Sequence, residues 1–579
     1  MLHNNIFPQK GGEYRMILYL CGRIHKKRQT MKRIVYATLL CLMAALMPMK
    51  AKETETPRIV NIINFIRGVE PRDNGVITPE ILYRTVEEQA KCLRKNDLTG
   101  TYLLMYNALI EPRYQTLLKE ERKRGCEIGG WWEISQPQCE DAGVRWRADV
   151  PWLHHANVGF SIGYTQQERE KLVDTYMEKF KEIFGNYPAS VGSWFIDAHT
   201  LNYMWEKYGI VASCNCRDQV GTDGYTMWGG YWTGGYYPSK KNAYIPAQSK
   251  KNQIGVPVFR MLGSDPIYQY DAGLGINVWQ SVKTLEPTCT DGGGNEKWVD
   301  WYFQTFTEDP ALGLTYTQMG QENSFTWARF HPGFEMQATK LAQLRQKGSI
   351  RLENLEETGV WFSKRYQVTP ASAQSAMSDY SGNNNRTVWF NSRYYRTNVI
   401  WEANRIKLRD IHLFREEYAS KYLTTPCTTP NFQYITLPLV DGNLWSTQES
   451  LAAMRFYKKV GETLIELQGG QPVLTDKGKT LLVEWPLQNA EGTLALLFAE
   501  DKLQVTAPKG LDWCMELRTQ PEADLPFTSI QEKQITAQQD KFPYSVMLKK
   551  GTVKDLRNEG QGKVMRWEPQ GNKIIVEMK

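Results

Sequence analysis

Short apolar runs of strand length alternate with amphipathic segments of helix length from residue 58 to about residue 346. Several helical segments carry their own boundary signals, such as Thr78-Pro79 at one beginning and Gly185 at one end. This alternation predicts strand–helix–strand units, which build parallel sheets. The predicted strands are 59–66, 101–105, a run just after Gly125, 191–196, 210–214, 256–261 and 312–319. The predicted helices are 78–94, 112–124, 164–184, 201–208, 296–307 and 333–346.

Seven or so such units predict an α/β fold, a β/α barrel of seven or eight strands that is either complete or distorted. Beyond Glu356 the pattern changes to short alternating runs between turns rich in Gly, Asn and Asp. That pattern is typical of antiparallel β-structure and predicts a β-sandwich-like domain with one helix near 406–418. Since 579 residues exceed one hydrophobic core, we predict a barrel over 55–350 and a β-rich domain over 351–579.

The N-terminal segment predicts export. Lys32-Arg33 precede an apolar run over 34–47, and Ala51 ends a plausible cleavage site. We therefore interpret residues 1–51 as an upstream extension and a signal peptide that starts at Met31. The mature protein is expected to be periplasmic or extracellular, without an integral membrane span, because the run is shorter than a spanning helix. A cytoplasmic extension with a membrane anchor is the alternative.

Removal of this leader changes the charge. Residues 1–51 hold nine of the 70 basic and one of the 63 acidic residues, which leaves 61 against 62 and a net charge of −1. The nominal +7 is therefore no sign of nucleic-acid binding. Eight of the ten cysteines remain. They are sparse for so long a chain, which favours buried thiols over a disulfide framework.

One strand–helix–strand unit contains G-T-Y-L-L at 100–104 and G-C-E-I-G-G-W at 125–131. These segments resemble the A-T-F-F strand and the G-H-E-I-G-x-H signature of the polysaccharide deacetylases, which belong to the glycoside hydrolase/deacetylase barrel superfamily. Their T-F-D-D-G motif falls on N-F-I-R-G at 64–68. The chain also resembles exported two-domain proteins of gut-type bacteria, a resemblance that adds no activity.

The resemblance implies a metal-dependent barrel, but the implied metal ligands are absent. They fall on Arg67, Trp131 and Ser135, and the implied base falls on Ile66. Because all three implied metal ligands are replaced at positions that match the family's motifs, we expect a reaction different from that of the family. We therefore expect no metal and no other cofactor in the reaction.

Carboxylates follow several of the predicted strands instead. They are Glu70, Glu133, Asp197 and Glu322. Because the loops after barrel strands converge at one end, two of these groups are candidates for glycoside hydrolysis, which needs a proton donor and a second carboxylate. Flanking tryptophans favour Glu133 as the donor and Asp197 as the nucleophile or base. The structural alternative for each acid is an ion pair, for instance Glu70 with Arg67 or Arg72.

Aromatic residues near the same strand ends suggest a glycan as the partner. Flat apolar rings with polar edges suit sugars, and the segment 225–244 is dense in Trp, Tyr and Gly. The alternative for this segment is a rigid loop packed on itself. The candidate substrate-binding residues are Arg67, Trp131, Trp132, His199, Trp228, Trp232 and Tyr236.

Three functions stay open at this point. The favoured one is an exported, metal-independent glycoside hydrolase. The second is a divergent deacetylase that binds its metal through Asp197 and His199 with a third ligand from His154, His155 or Glu133. The third is a glycan-binding protein without catalysis. The sequence gives neither the sugar, the linkage, the stereochemical outcome nor the oligomeric state.

Overall fold

The core of the first half of the chain is a sheet of seven parallel strands that curls into a barrel. The computed structural model describes residues 56–70, 75–274, 280–560 and 562–579, so the predicted signal peptide lies outside the described residues. The barrel strands are β1 (Arg58–Ile66), β2 (Thr101–Leu104), β3 (Glu127–Trp131), β4 (Ser190–Gly192), β5 (Ala212–Asn215), β6 (Val258–Arg260) and β7 (Thr315–Met319).

The strand order is β7-β1-β2-β3-β4-β5-β6, with every neighbouring pair parallel. Within the described residues β6 and β7 share no ladder, so the barrel is distorted and nearly closed. Two short strands extend this sheet, Arg351–Glu353 parallel to β1 and Gly235–Tyr236 antiparallel to β6. The predicted β/α barrel is confirmed.

Helices surround the strands and connect most of them. Thr78 caps the first helix through a bond from the Ile81 amide (3.3 Å), and Thr165 forms a capping box with Glu168. The helices are α1 (Pro79–Lys95), α2 (Tyr106–Leu109), α3 (Pro112–Lys123), α4 (Gln136–Asp141), α5 (Gln166–Phe184), α6 (Ala198–Tyr208), α7 (Glu296–Glu308), α8 (Trp327–Gln346) and α9 (Leu355–Arg365), with 3-10 turns at Ser161–Gly163 and Asn323–Phe325. In the described part of the chain, no helix combines the length and apolar character needed to cross a bilayer.

The C-terminal region consists of antiparallel sheets, as predicted. One sheet has twelve strands: Ala311–Leu312, Ser372–Ala376, Arg386–Asn391, Tyr395–Glu402, Arg405–Leu413, Leu437–Asp441, Ala453–Val460, Thr463–Glu466, Trp513–Thr519, Thr552–Val553, Arg557–Glu559 and Gly562–Glu568. A second has eight: Val473–Asp476, Leu481–Pro486, Thr493–Ala499, Lys502–Thr506, Phe527–Gln531, Gln534–Gln539, Phe542–Lys550 and Lys573–Glu577. The helix predicted near 406–418 is wrong, because Arg405–Leu413 is a strand of the first of these sheets.

One of two smaller sheets in the described residues joins the two regions. The strand Phe432–Ile435 pairs in parallel with Tyr225–Trp228, which pairs in turn with Gln219–Thr222, and Pro238–Ser239 pairs with Asn242–Pro246. Residues 56–579 form one compact unit, and the predicted boundary at residue 350 stays a prediction. The eight cysteines in the described residues are free thiols, and seven of them are buried.

A buried carboxyl group links the amino end of β3 to α9. Glu127 accepts hydrogen bonds from the Thr101 hydroxyl (2.9 Å), the Ser190 hydroxyl and the Glu356 amide (2.9 Å). Burial raises the pKa of Glu127 to about 7, and these hydrogen bonds only partly oppose it. Its folded pKa therefore lies above the ordinary glutamate value.

The raised pKa of Glu127 should make the stability of the fold depend on pH, and we expect Glu127→Gln to remove this dependence. The wild-type group stabilises the fold fully below its ordinary pKa, and that stabilisation is lost as the pH rises towards about 7. Since glutamine does not titrate, the melting temperature of the variant relative to wild type should rise between pH 4.5 and 7.5. Glu120→Gln, on the exposed face of α3, is the matched control and should show no comparable slope. A parallel response of the two variants would contradict the shifted pKa.

Candidate active site

A cleft of about 450 Å³ opens at the carboxyl ends of the barrel strands. Most strands contribute a residue within a few positions of their ends: Arg67 after β1, Trp194 after β4, Arg217 after β5, Leu262 after β6 and Glu322 after β7. The longer loops add Trp152, His154, Asp223, Tyr225, Glu286 and Asp291. Because parallel strands bring these ends together, residues distant in sequence face one cavity.

Arg67 holds two carboxylates at the bottom of this cleft. Its guanidinium makes a two-pronged contact with Glu133, with Nε to Oε2 at 3.1 Å and Nη2 to Oε1 at 3.0 Å. The third nitrogen, Nη1, lies 2.6 Å from Glu322 Oε2. The side chains of all three residues are at most 7% exposed. The ends of β1, β3 and β7 are therefore joined by one buried charge cluster.

Glu133 lies behind Arg67. Its side chain is fully buried and is not part of the cleft wall. Burial raises the pKa of Glu133, with a further contribution from Glu322, and the nearby Arg67 opposes this only in part. Its position suits a group that fixes Arg67 rather than one that reaches a substrate.

Glu286 and Glu322 both face the cleft. Gln321 connects them, because its side-chain nitrogen donates to Glu286 Oε1 (3.1 Å) and its side-chain oxygen accepts from the Glu322 amide (2.8 Å). Glu322 also accepts a hydrogen bond from the Ser324 hydroxyl. Burial raises the pKa of Glu286, and the neighbouring Glu322 adds to this shift. One carboxyl group is thus held in an ion pair while its neighbour is shifted towards its protonated form.

Aromatic rings form part of the cleft wall. Trp152, Trp194 and Tyr225 line it, and the Arg67 guanidinium lies 5.0 Å from the centre of the Trp152 ring. Tyr225 is held by a hydrogen bond to the His154 carbonyl (2.8 Å) and stacks on Phe432. The cleft therefore combines flat apolar surfaces with a few charged groups.

A second cavity of about 630 Å³ adjoins the cleft and shares Glu322, Phe325 and Arg329 with it. Glu70 lines this cavity and not the first, while Arg72 lies outside the described residues. At the junction Thr326 has φ +64°, a conformation that residues other than glycine rarely adopt. Such backbone strain concentrates at functional sites. The two cavities together offer room for more than one sugar ring.

Asp197 has a structural role in this fold. It caps α6 through bonds from the Thr200 amide (3.1 Å) and hydroxyl (2.7 Å), and it binds Arg169 (2.9 Å) and the Ser161 hydroxyl (2.6 Å). Burial alone would raise its pKa, but these partners outweigh burial and lower it. Both oxygens are occupied and the residue does not line the cleft. We therefore do not retain Asp197 as the partner of Glu133.

The remaining predicted sugar-binding residues do not reach the cleft either. His199 lies on α6 and bonds to Glu170 (3.0 Å). Trp131 stacks on Phe65 inside the barrel with ring centres 3.9 Å apart, and Trp132 packs edge-on against Tyr176. Arg67 is the member of that predicted set that does line the cleft.

The aromatic segment 225–244 is largely buried, which corrects its interpretation as a sugar-binding loop. Trp228 donates to Asp441 (2.9 Å), and Trp232 stacks on Trp389 with ring centres 3.6 Å apart. Tyr236 is fully buried and donates to the Ala243 carbonyl (2.7 Å). The two tryptophans pack against the C-terminal sheet, whereas Tyr236 stacks on Tyr231 within its own segment. The alternative of a rigid packed loop therefore describes Tyr236, and the tryptophans form an interface with that sheet.

The residues at the implied metal positions do not fit a metal. Arg67 is a cation in an ion-pair cluster, Trp131 is stacked, and the buried Ser135 hydroxyl has no partner within the described residues. The alternative ligands Asp197 and His199 bind other side chains. Across the described ranges, no group of three His, Cys, Asp or Glu side chains has a geometry that could hold a metal ion. We derive no step through a metal.

Sequence reasoning missed Glu286 and Arg217. Both follow barrel strands, but Glu286 lies 26 positions after the end of β6 in a long loop, so strand proximity gives no signal for it. Arg217 comes two positions after β5. It could have been found from the sequence if arginines that follow predicted strands had been considered as candidates, as carboxylates in that position were.

Comparisons with known proteins agree with the barrel. A sequence model for DUF3863, a domain of unknown function with a solved structure, matches residues 156–308. No curated protein matches the chain. A Parabacteroides distasonis structure, described as a candidate glycoside hydrolase/deacetylase, is 17% identical and covers 66% of this chain and 91% of its own, with a TM-score of 0.50.

Two further structures are described as candidate polysaccharide deacetylases. The one from Mycobacterium smegmatis is 11% identical, with coverages of 55% and 94% and a TM-score of 0.35. The one from Pseudomonas aeruginosa is 12% identical, with coverages of 54% and 93% and a TM-score of 0.33. The P. distasonis structure establishes the likeness of fold. The barrel of this chain is therefore similar in fold to a structure of the kind that the sequence resemblance indicated.

Replacing the cation of the buried cluster should reduce stability strongly. Arg67→Met leaves Glu133 and Glu322 buried without their partner, and we expect a loss of about 3–5 kcal/mol in the free energy of unfolding. Arg84→Met is the matched control, because Arg84 also contacts two glutamates, Glu80 and Glu87, but on an exposed helix face. It should unfold like the wild type. Equal urea midpoints for the two variants would show that the Arg67 cluster contributes no more than a surface pair.

Proposed function

We propose that the protein is an exported carbohydrate-active hydrolase that cleaves glycosidic bonds with two carboxyl groups. The observation that carries the proposal is the pair Glu286 and Glu322, which face one cleft in opposite electrostatic environments. Hydrolysis of a glycoside needs such a division, with one group holding a proton and the other acting as an anion. In this proposal Glu286 takes the role of proton donor that the sequence-based assignment gave to Glu133, and Glu322 takes the anionic role that it gave to Asp197.

Each carboxyl group has a role that follows from its surroundings. Glu286 donates its proton to the glycosidic oxygen while the bond to the anomeric carbon breaks, and the leaving sugar departs as an alcohol. Its raised pKa keeps this proton available closer to neutral pH. Glu322, held by Arg67, either adds to the anomeric carbon or takes a proton from the attacking water. A separation of about 5–5.5 Å gives retention and about 6.5–9.5 Å gives inversion.

The walls of the cleft support a glycan as substrate. Trp152 and Trp194 offer flat faces, and the adjoining cavity beside Phe325 extends the space beyond one ring. The P. distasonis structure, which has a similar fold, is itself described as a candidate glycoside hydrolase/deacetylase. An oligosaccharide fits these dimensions better than a monosaccharide.

Turnover of oligosaccharides by wild type, Glu286→Gln and Glu322→Gln tests the proposal. Both variants should lose activity by about 10²–10⁴-fold, because glutamine neither donates the proton nor supplies the anion. The melting temperature of Glu286→Gln should stay near that of the wild type, since the change is isosteric. Glu322→Gln should lower it far less than Arg67→Met does, because Arg67 keeps its two-pronged contact with Glu133. Glu120→Gln, the same substitution on an exposed helix, should keep full activity.

Two outcomes would contradict this assignment. If both variants hydrolyse a glycan as fast as the wild type, Glu286 and Glu322 are not the reacting pair. If the wild type binds a glycan and cleaves none of the set, the non-catalytic binding protein considered from the sequence is the better description.

A further inference from the structure

Arg217 is a buried cation in the cleft wall without a carboxylate partner. The residue is 2% exposed and lies two positions after β5, at the carboxyl end of the barrel. One of its terminal nitrogens donates to the main-chain carbonyl of Asp218. Its Nε has no hydrogen-bond partner within the described residues.

The other buried arginines of the described residues each form an ion pair with a carboxylate. Six arginines are buried, and five of them have a carboxylate oxygen within 3.0 Å: Arg67, Arg169, Arg260, Arg396 and Arg409. Arg217 is the exception, since no carboxylate in the described ranges lies within 4.0 Å of its nitrogens. Glu286 lies nearby, but its Oε1 is occupied by Gln321 and Thr288.

A buried charge without a counter-ion at ion-pair distance is costly. Burial lowers the pKa of Arg217, and the nearby Glu286 and Asp218 oppose this only in part. An anionic group of a ligand in the cleft would remove this cost. The planar guanidinium matches a carboxylate especially well, because two parallel N–H groups reach its two oxygens. Four acidic residues, Asp223, Glu286, Asp291 and Glu322, line the same cleft and disfavour a doubly charged phosphate.

We propose that Arg217 binds the carboxylate of a uronic acid residue in the substrate. The sugar in this assignment rests on the proposed function, whereas the anionic group rests on Arg217 itself. The cleft is then specific for acidic glycans, with one uronate beside the pair Glu286 and Glu322.

The test is calorimetric titration of the whole protein with trimers of galacturonate, glucuronate and mannuronate, and with the methyl ester of each. The esters keep the shape and lose the charge. We expect at least one acid trimer to bind about 100-fold more tightly than its ester, because a site built around a charged donor rejects a ligand that leaves it unpaired. A sulfated galactan trimer serves as a second anion.

Arg217→Met separates a binding role from a structural one. It should weaken binding of the acid trimer about 30-fold or more while leaving the ester unaffected. The melting temperature of the free variant should equal or exceed that of the wild type, since the change removes an uncompensated buried charge. Arg217→Lys should restore part of the binding, because lysine keeps the positive charge but lacks the two parallel N–H groups of the guanidinium.

Several results would overturn the proposal. They are equal affinity for acid and ester, a preference for the sulfated trimer, or a melting temperature of Arg217→Met well below wild type together with a stable Arg217→Lys variant. Hydrolysis of neutral glycans alone would overturn the uronate assignment and leave the hydrolase intact. Tight uronate binding without cleavage would support the assignment of Arg217 and contradict the hydrolase.

Discussion

The guanidinium of Arg67 ties together the carboxyl ends of three barrel strands. Glu133 comes from the end of β3 and Glu322 from the end of β7, and neither strand is a neighbour of the other in the sheet order. Burying three charges is costly unless they satisfy one another, so their mutual geometry is strongly constrained. That constraint fixes where Glu322 stands in the cleft. It also accounts for the full burial of Glu133, which orients Arg67 from behind.

A second charge network fixes the long segment that follows β5 against the C-terminal sheet. Asp218 contacts both Arg260 (2.6 Å) and Arg396, and Arg396 in turn binds Asp410 (2.7 Å). The tryptophans of the segment 225–244 pack around Arg396, so the rings that looked suited to sugars serve this interface. The C-terminal region therefore contributes to the site by positioning a segment that lines the cleft. It holds the segment that begins at Arg217 and carries Asp223 and Tyr225 into the cleft wall.

The barrel could be predicted because parallel strands buried on both faces have mostly apolar sequences, and β1 is apolar at six of its nine positions. Glu322 and Arg67 could be predicted because they follow strands directly. Asp197 also comes after a strand, but the sequence D-A-H-T that begins with it is an N-cap pattern. The Asp197 carboxylate therefore caps the helix that follows and does not face the cleft. The strand Arg405–Leu413 was mistaken for a helix because its charged residues Lys407 and Arg409 are buried. Lys407 binds Glu402 across the turn to the preceding strand, and Arg409 binds Asp271, which is far away in sequence. Neither contact follows a helical spacing, so a helical pattern gives no sign of them.

The replacement of implied metal ligands by Arg67 and Trp131 constrains the chemistry of the cleft. A guanidinium donates hydrogen bonds and carries charge, but it has no vacant coordination position, so it cannot lower the pKa of water in the way that a bound metal does. In the proposed hydrolysis, the attacking water therefore loses its proton to a carboxylate, or a carboxylate attacks directly. Glu322 is held by Arg67 for either role, and Glu286 beside it is shifted towards its protonated form. The arginine that stands at an implied metal position is thus the residue that holds Glu322 in the cleft, where Glu286 also lies.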